Sequence, residues 1–275
     1  MMTVMAAGRA LRRNLPGGVS AGRVGAVLNR NVGALRSGPA YWLVLLSGFF
    51  EPLLYLLSIG VGVGALVGTV PVGGRPVDYA VFVAPAMLAV SAMSGALAET
   101  TFNVFFKFKY AKTYDAVLAT PVRPVEIALG ELMWALVRCL FYTVLFLVVM
   151  VVLGLTSVGG ALAAFPATAL VGVAFGATGM AISTFLRGWQ DFDLLTTGQF
   201  TLFLFSGTFS PVQDYPVVFE VIVTLTPLYH AVELVRGLAV GPVGWTLLVH
   251  AAYLVVMAVA GLWVAARRIG KLLLV

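Results

Sequence analysis

The chain has 275 residues, a net charge of +6, 61% hydrophobic residues and 10% charged ones. A soluble domain carries about 25% charged residues, so this composition excludes an ordinary soluble fold and describes one compact membrane domain. The single cysteine, Cys139, excludes an intrachain disulfide and a cysteine metal cluster.

Residues 1–20 hold Arg9, Arg12 and Arg13 with several glycines and no acidic residue, and read as a disordered basic arm. They lack an apolar run followed by a small-residue cleavage site, so no cleaved signal peptide is expected. Residues 21–40 read as an amphipathic interfacial helix. Val24, Val27, Leu28, Val32 and Leu35 form its apolar stripe, with arginines around it.

From 41 to 275 the pattern is that of a transmembrane domain with six helical spans. The first span, 41–66, opens on an interfacial Tyr41-Trp42 pair and carries Glu51 directly before Pro52. A carboxylate at the bilayer centre costs about 2.5–3.5 kcal/mol, so Glu51 is expected to face the protein interior or a water-filled cavity. It serves there either as a polar point on a substrate path or as a buried carboxyl that pins helices. Gly60, Gly62 and Gly64 alternate in this span and predict close helix packing.

The second span, 79–106, bears Glu99 near one end, read as a solvated interfacial carboxylate or as a partner of the next loop or the N-terminal arm. The loop 107–131 is ordered in character. Thr113 is expected to cap a short helix over 114–119, Thr120-Pro121 to end it, and Pro124 to open a second helix. The third and fourth spans are 132–153 and 162–186. Gly172 and Gly176 form a G-x-x-x-G pair in the fourth, joined by Gly179. The fifth span, 194–209, is polar around Gln199, Thr196, Thr197 and Thr201, and the sixth is 245–266.

The stretch 207–240 is apolar but broken by Pro211, Pro216 and Pro227. Its helical pieces, 217–225 and 228–240, reach about 13–20 Å each at ~1.5 Å per residue. Neither crosses a core of roughly 30 Å, so a re-entrant helix pair is expected. His230, Glu233 and Arg236 follow at spacings of three and share one face, read as ion-paired and water-facing. One histidine with one glutamate is too little for a zinc site. His250 lies in the sixth span, away from them on this reading, and no catalytic residue is expected.

With the N-terminus inside, fourteen of the seventeen Lys and Arg fall on the inner side. This sorting predicts a multi-pass protein of the cell inner or plasma membrane with both termini cytoplasmic and the broken segment outside. It accounts for the basic charge through contact with membrane lipids and without a nucleic-acid partner.

Four local patterns resemble the permease subunits of type-2 ABC exporters, the NodJ/DrrB-like group. They are FFEPLLYLLSIGVGVG at 49–64, KTYDAVLATPVRP at 112–124, LFSGTFSPVQDYP at 204–216 and TPLYHAVELVRGL at 226–238. The resemblance implies six spans, an N-terminal connecting helix and a re-entrant pair before the last span. It also implies a coupling helix that meets a separate ABC ATPase subunit, carried by Lys112, Thr113, Tyr114, Asp115, Leu118, Thr120 and Pro121. A second permease, identical or paralogous, would pair with this one.

On this reading spans one, two and five line the substrate path, with Glu51, Glu99, Gln199 and Phe205 along it. Pro211, Pro216, Pro227, His230, Glu233 and Arg236 form the outer gate. The chain has no G-x-x-x-x-G-K-[ST] loop, its one Gly-Lys pair being Gly270-Lys271 before a leucine. ATP and Mg are therefore expected on the partner ATPase, and this subunit is expected to be a transport component and not an enzyme. The expected activity is outward movement of an amphipathic, drug-like or lipidic (glycolipid) substrate by alternating access. From the residues alone, an ion-coupled transporter or channel and a membrane-embedded lipid-modifying enzyme are the alternatives.

Overall fold

The computed structural model describes residues 18–38, 50, 52–72, 75–241 and 243–274. Glu51, the Tyr41-Trp42 pair and most of the 1–20 arm lie outside the described residues. Helix α1 is Ala21–Arg36, and α2 is Pro52–Val67, wound as a π-helix over Leu56–Val63. Strands β1, Thr69–Val72, and β2, Arg75–Asp78, pair antiparallel with Val70 opposite Val77. Helix α3 is Tyr79–Lys109, with a π turn at Glu99–Asn103. Then follow α4, Thr113–Leu118, α5, Pro124–Val152, α6, Val158–Ser183, and α7, Asp191–Leu204. A 3-10 turn at Val212–Asp214 leads to α8, Val217–Thr224, then α9, Pro227–Ala239, and α10, Thr246–Leu274.

The protein is a helical membrane bundle, with a two-stranded hairpin that the six-helix expectation lacked. Among the described residues, four helices (α3, α5, α6 and α10) are long and apolar enough to cross a membrane. The expected fifth span contracts to α7, whose 14 residues reach about 21 Å. The 107–131 loop is also shorter than expected, because α3 runs to Lys109 and α5 already starts at Pro124. Pro124 occupies the first turn, where its missing N–H is harmless, so the loop's second helix and the third span are one element.

Helix α3 is apolar all round and lies at the centre, packed against α2, α5, α6 and α9. Small residues let its neighbours approach. A Cβ on Gly172 would sit 2.7 Å from the Cys139 sulfur, and one on Gly176 would sit 2.8 Å from Leu132 Cδ1. The G-x-x-x-G pair thus packs α6 on α5 as its spacing predicts. Gly60 and Gly64 of α2 face Ala80 and Tyr79, whereas Gly62 faces open space. Side chains start α6 and α9: Ser157 accepts from the Gly160 N–H at 3.0 Å, and Thr226 accepts from the Tyr229 N–H at 3.4 Å.

The bundle has two unlike ends. The basic end carries α1, α4 and the C-terminal turns of α3, α6 and α10. The hairpin end carries β1–β2, the start of α3, and α9.

At Gly261 of α10, a Cβ would lie 2.8 Å from the Ala177 carbonyl carbon and from the Thr178 nitrogen of α6. Backbone atoms have no rotamer with which to yield. Gly261→Ala should therefore destabilise the purified protein by about 1–3 kcal/mol. Gly25 of α1 meets nothing within 4 Å, and Gly25→Ala should stabilise by up to about 1 kcal/mol through helix propensity. Equal melting temperatures for the two variants would contradict this packing.

Candidate functional site

At the basic end, two buried carboxylates of α5 hold α1. Glu126 is fully buried and accepts from the Ser20 N–H at 2.9 Å, the Arg123 N–H at 2.9 Å and Arg23 Nε at 2.7 Å. Glu131 is 3% exposed and accepts from Lys107 Nζ at 2.6 Å, Asn31 Nδ2 at 2.9 Å and Arg30 Nη2 at 3.0 Å. Three helices, α1, α3 and α5, therefore meet at one carboxylate. The apolar stripe of α1 is narrower than expected: Val24 and Val27 are buried, together with the polar Asn31.

Helix α4 docks onto this junction. Tyr114 and Leu118 are 4% and 6% exposed and pack with Val27, Val104, Val122 and Ile127. Burial first, and then the charge of Glu131, push the Tyr114 phenol well above its ordinary range, so it stays neutral. Two expectations change here. Tyr114 and Leu118 are inward anchors, and the residues that stay exposed are Lys112, Asp115, Ala116, Ala119, Thr120 and Pro121. Thr113 is not the cap either. The helix starts at Thr113, behind Lys112 in a left-handed conformation (φ 46°), with no side-chain cap.

Between the ends, α2, α3, α5 and α7 line an open cavity of about 370 Å³. Glu99, expected to be solvated or to pair with the next loop or the N-terminal arm, is 6% exposed and pairs instead with Arg138 of α5. Asn103 also donates to Glu99 at 2.9 Å. Arg138 donates to the Tyr142 hydroxyl at 2.5 Å. Gln199 lines the same cavity and donates to the Ser94 hydroxyl at 2.8 Å. Burial selects this arrangement, since a carboxylate among apolar helices needs a counter-charge. Phe205 is not in the lining: it follows α7 and is 41% exposed.

At the hairpin end, each of the three prolines opens a helical turn: Pro211 before the 3-10 turn, Pro216 before α8, and Pro227 in the first turn of α9. Helices α8 and α9 meet at 81°. Arg236, expected to face water, is 4% exposed. It donates to Glu233 at 2.6 Å, to the Gly207 carbonyl at 2.8 Å and to the Phe82 carbonyl at 3.2 Å. Its guanidinium lies 3.9 Å from the Phe82 ring centroid. Gly207 has φ +70°, a conformation that glycine adopts without strain, and this turn aims its carbonyl at Arg236. Glu233 is half-buried and points the charge pair outward.

His230 was read as the one histidine of its region, yet His250 of α10 lies against it, Nδ1 to Nδ1 at 2.8 Å. His230 also stacks on Tyr253 with centroids 3.9 Å apart. Such a contact needs one N–H and one lone pair, so one ring donates to the other there. Among the described residues, no group of three or more His, Cys, Asp or Glu could hold a metal ion.

The Glu99–Arg138 pair makes a sharp expectation. Glu99→Gln or Arg138→Gln alone leaves one buried charge without its counter-charge and should cost about 3–5 kcal/mol. The double variant removes both charges and should recover most of the loss. Additive losses in the thermal unfolding of the three variants would show that the two charges do not support each other.

The profile of the ABC-2 type transporter family matches residues 26–240. "Nodulation protein J" of Rhizobium leguminosarum bv. trifolii is 36% identical over 198 residues, covering 72% of this chain and 74% of that protein. The protein of the same name from Sinorhizobium fredii (strain NBRC 101917 / NGR234) is 33% identical over 216 residues, covering 78% and 81%. That from Rhizobium meliloti (strain 1021) is 32% identical over 198 residues, covering 72% and 74%. The matched region runs from α1 through α9, across the carboxylate junction, the cavity and the Arg236 contacts. This chain therefore belongs to the ABC-2 type transporter family and is a multi-pass membrane permease of the ABC exporter class.

Proposed function

We propose that the chain moves an amphipathic, drug-like or lipidic (glycolipid) substrate outward by alternating access, driven by a separate ABC ATPase subunit. The basic end is cytoplasmic in this reading, with both termini there, and α2 and α7 serve as the first and fifth of six crossings. A second permease copy or paralogue completes the path. ATP and Mg belong to the ATPase chain. The re-entrant role is assigned to α8–α9, two short apolar helices bent by 81°.

The observation that carries the reading is the two-sidedness of α4. Its inner face is fixed to the carboxylate junction, and its outer face is small, polar and open. A push on the outer face reaches α1, α3 and α5 together, because their ends share Glu131. The cavity between α3, α5 and α7 supplies polar and apolar walls side by side, which suits an amphiphile.

Co-purification and transport test this together. The tagged chain should retain an ATP-binding subunit, and transport should stop without ATP. Ala119→Arg, on the open face, should cut the substrate-stimulated ATPase and transport at least tenfold with an unchanged melting temperature. Tyr114→Asp should instead lower the melting temperature, because it buries a charge under the helix. Wild-type coupling in Ala119→Arg, or transport that survives ATP depletion, would refute the proposal.

A further inference from the structure

Helix α10 ends in two positive charges without an acidic partner among the described residues. The helix contains no Asp or Glu, and Arg267 and Lys271 are both exposed. Neither makes an ion pair or a hydrogen bond within the described residues. Like charges one helical turn apart repel each other. This end of α10 therefore calls for an anion from outside the chain.

Two tryptophans set the depth of these charges. Trp245 and Trp263 are both more than half exposed, and the chain between them covers about 27 Å at ~1.5 Å per residue. That matches a hydrocarbon core of roughly 30 Å with an indole at each edge. Arg267 follows Trp263 by one turn and Lys271 by two, at the level of lipid head groups. Arg267 does not stretch on into water, as a snorkelling side chain would. Its guanidinium folds back to lie 3.9 Å from the Trp263 ring centroid. The charge is thus held at the level of the indole, with its donor fork unclaimed by any described acceptor. Arg268 is used differently. It donates to the Thr184 hydroxyl at 3.0 Å and to the Thr184 carbonyl at 3.3 Å, which ties α10 to the end of α6.

The strip continues toward the membrane centre. Val256, Val259, Trp263, Arg267 and Lys271 follow at spacings of three and four, which is one face of α10, and all five are exposed. From Val256 to Arg267 the helix rises about 16 Å at ~1.5 Å per residue, the depth of one leaflet of the core. An apolar track, an indole and two cations therefore succeed one another in the order of a lipid's tail, glycerol region and phosphate. Gly270 keeps the head-group level clear, since a Cβ there would meet nothing within 4 Å. The order of chemistry selects the occupant. A zwitterionic phospholipid brings its own ammonium up to the two cations, whereas a lipid of net negative charge satisfies both.

We propose that this strip of α10 binds an anionic phospholipid of the leaflet at the basic end. Its phosphate is held by Arg267 and Lys271, and an acyl chain lies along Val259 and Val256. Bound there, the lipid braces the end of α10 beside the Arg268–Thr184 contact with α6. The lipid is a resident of the site and not cargo, so the site stands or falls apart from the transport reading.

The test uses the full chain, purified with any subunit it retains, in phosphatidylcholine nanodiscs with increasing phosphatidylglycerol. A photoactivatable phosphatidylglycerol should label the α10 peptides around Trp263. Unlabelled phosphatidylglycerol should displace it at least tenfold better than added phosphatidylcholine, and should raise the melting temperature of the wild-type chain. Arg267→Gln combined with Lys271→Gln should weaken labelling at least tenfold and abolish that rise. Its melting temperature in pure phosphatidylcholine should match the wild type. Arg36→Gln removes an exposed charge from the end of α1 and should leave the labelling of α10 unchanged. If the double variant unfolds, the wild-type labelling map and lipid ranking still decide the matter.

Equal displacement by phosphatidylcholine would overturn the proposal, as would an equal loss of labelling in Arg36→Gln, because either result shows only a general attraction to the membrane surface. Displacement by free glycerol phosphate would overturn it in favour of a soluble phosphate. Cross-linking of Trp263→Cys to a second copy of the chain, or to a retained ATPase subunit, would show that protein covers the strip. A chain that binds the lipid but carries nothing would refute the transport reading and leave the site, and transport without lipid selectivity would sink the site alone.

Discussion

The structure turns on the burial of Glu131. A carboxylate at 3% exposure is tolerable only if its charge and its lone pairs are satisfied, and no single helix here can do that. Arg30 and Asn31 reach it from α1, and Lys107 reaches it from α3. Lys107 also donates to Asn31 at 3.0 Å, which closes the triangle. An amphipathic helix that would otherwise rest on the membrane surface is thereby made part of the bundle. Glu126, nearby on the same helix, repeats the arrangement with Arg23 and two backbone N–H groups. Gly130 between them lets α1 come close, since a Cβ there would lie 2.6 Å from the Val27 Cβ.

Two further buried charges set the levels above this junction. Arg138 fixes α5 to α3 through Glu99, and Arg236 fixes α9 to α3 and to the Gly207 turn. All three groupings include α3, the helix with least contact with the surroundings. The apolar packing of α3 supplies adhesion without direction, since lipid tails are as apolar as leucine. The ionic contacts supply register, because each donor fork fits its acceptors at one relative height of the helices. The cavity survives beside so densely packed a helix because its wall holds a paired charge and polar side chains that a collapsed wall would leave unsatisfied.

Much of this was legible in the sequence where the signal is local. Pro124, Pro216 and Pro227 mark helix starts that the backbone obeys. Gly172 and Gly176 mark a close approach, and Val24 and Val27 mark the buried stripe of α1. What escaped depends on pairing between helices distant in the chain. Glu99 and Arg138 sit near the same end of consecutive antiparallel spans, so their meeting was open to inference by depth. His230 and His250 likewise share a depth, one in the broken segment and one just inside the last span. The hairpin had a local signature, the Gly73-Gly74 pair between the short runs TVPV and RPVD, that membrane composition overshadowed. The water-facing reading of Arg236 failed for a physical reason. A guanidinium has enough donors to be satisfied wholly by carbonyls, a carboxylate and a ring face, so its charge does not require exposure.

The two ends are built for different mechanical roles. At the basic end, the contacts that hold α1, α3 and α5 converge on carboxylates of one helix, and α4 presses on the same point. Such a junction moves as a unit, since displacing one donor strands a buried charge. At the hairpin end, α8 leaves Val217, Val218 and Ile222 more than half exposed, and its link to α9 is short and sharply bent. There α9 is anchored through Arg236 and the His230–His250 contact, while α8 itself is held at its end by the Tyr253 hydroxyl donating to the Leu225 carbonyl. In the proposed cycle a displacement that enters through α4 is carried along α3 and α5. In the same cycle it is released at α8, whose outward residues are loosely packed. In the proposed cycle this places the motion beside the outer end of the cavity and keeps the driven end rigid.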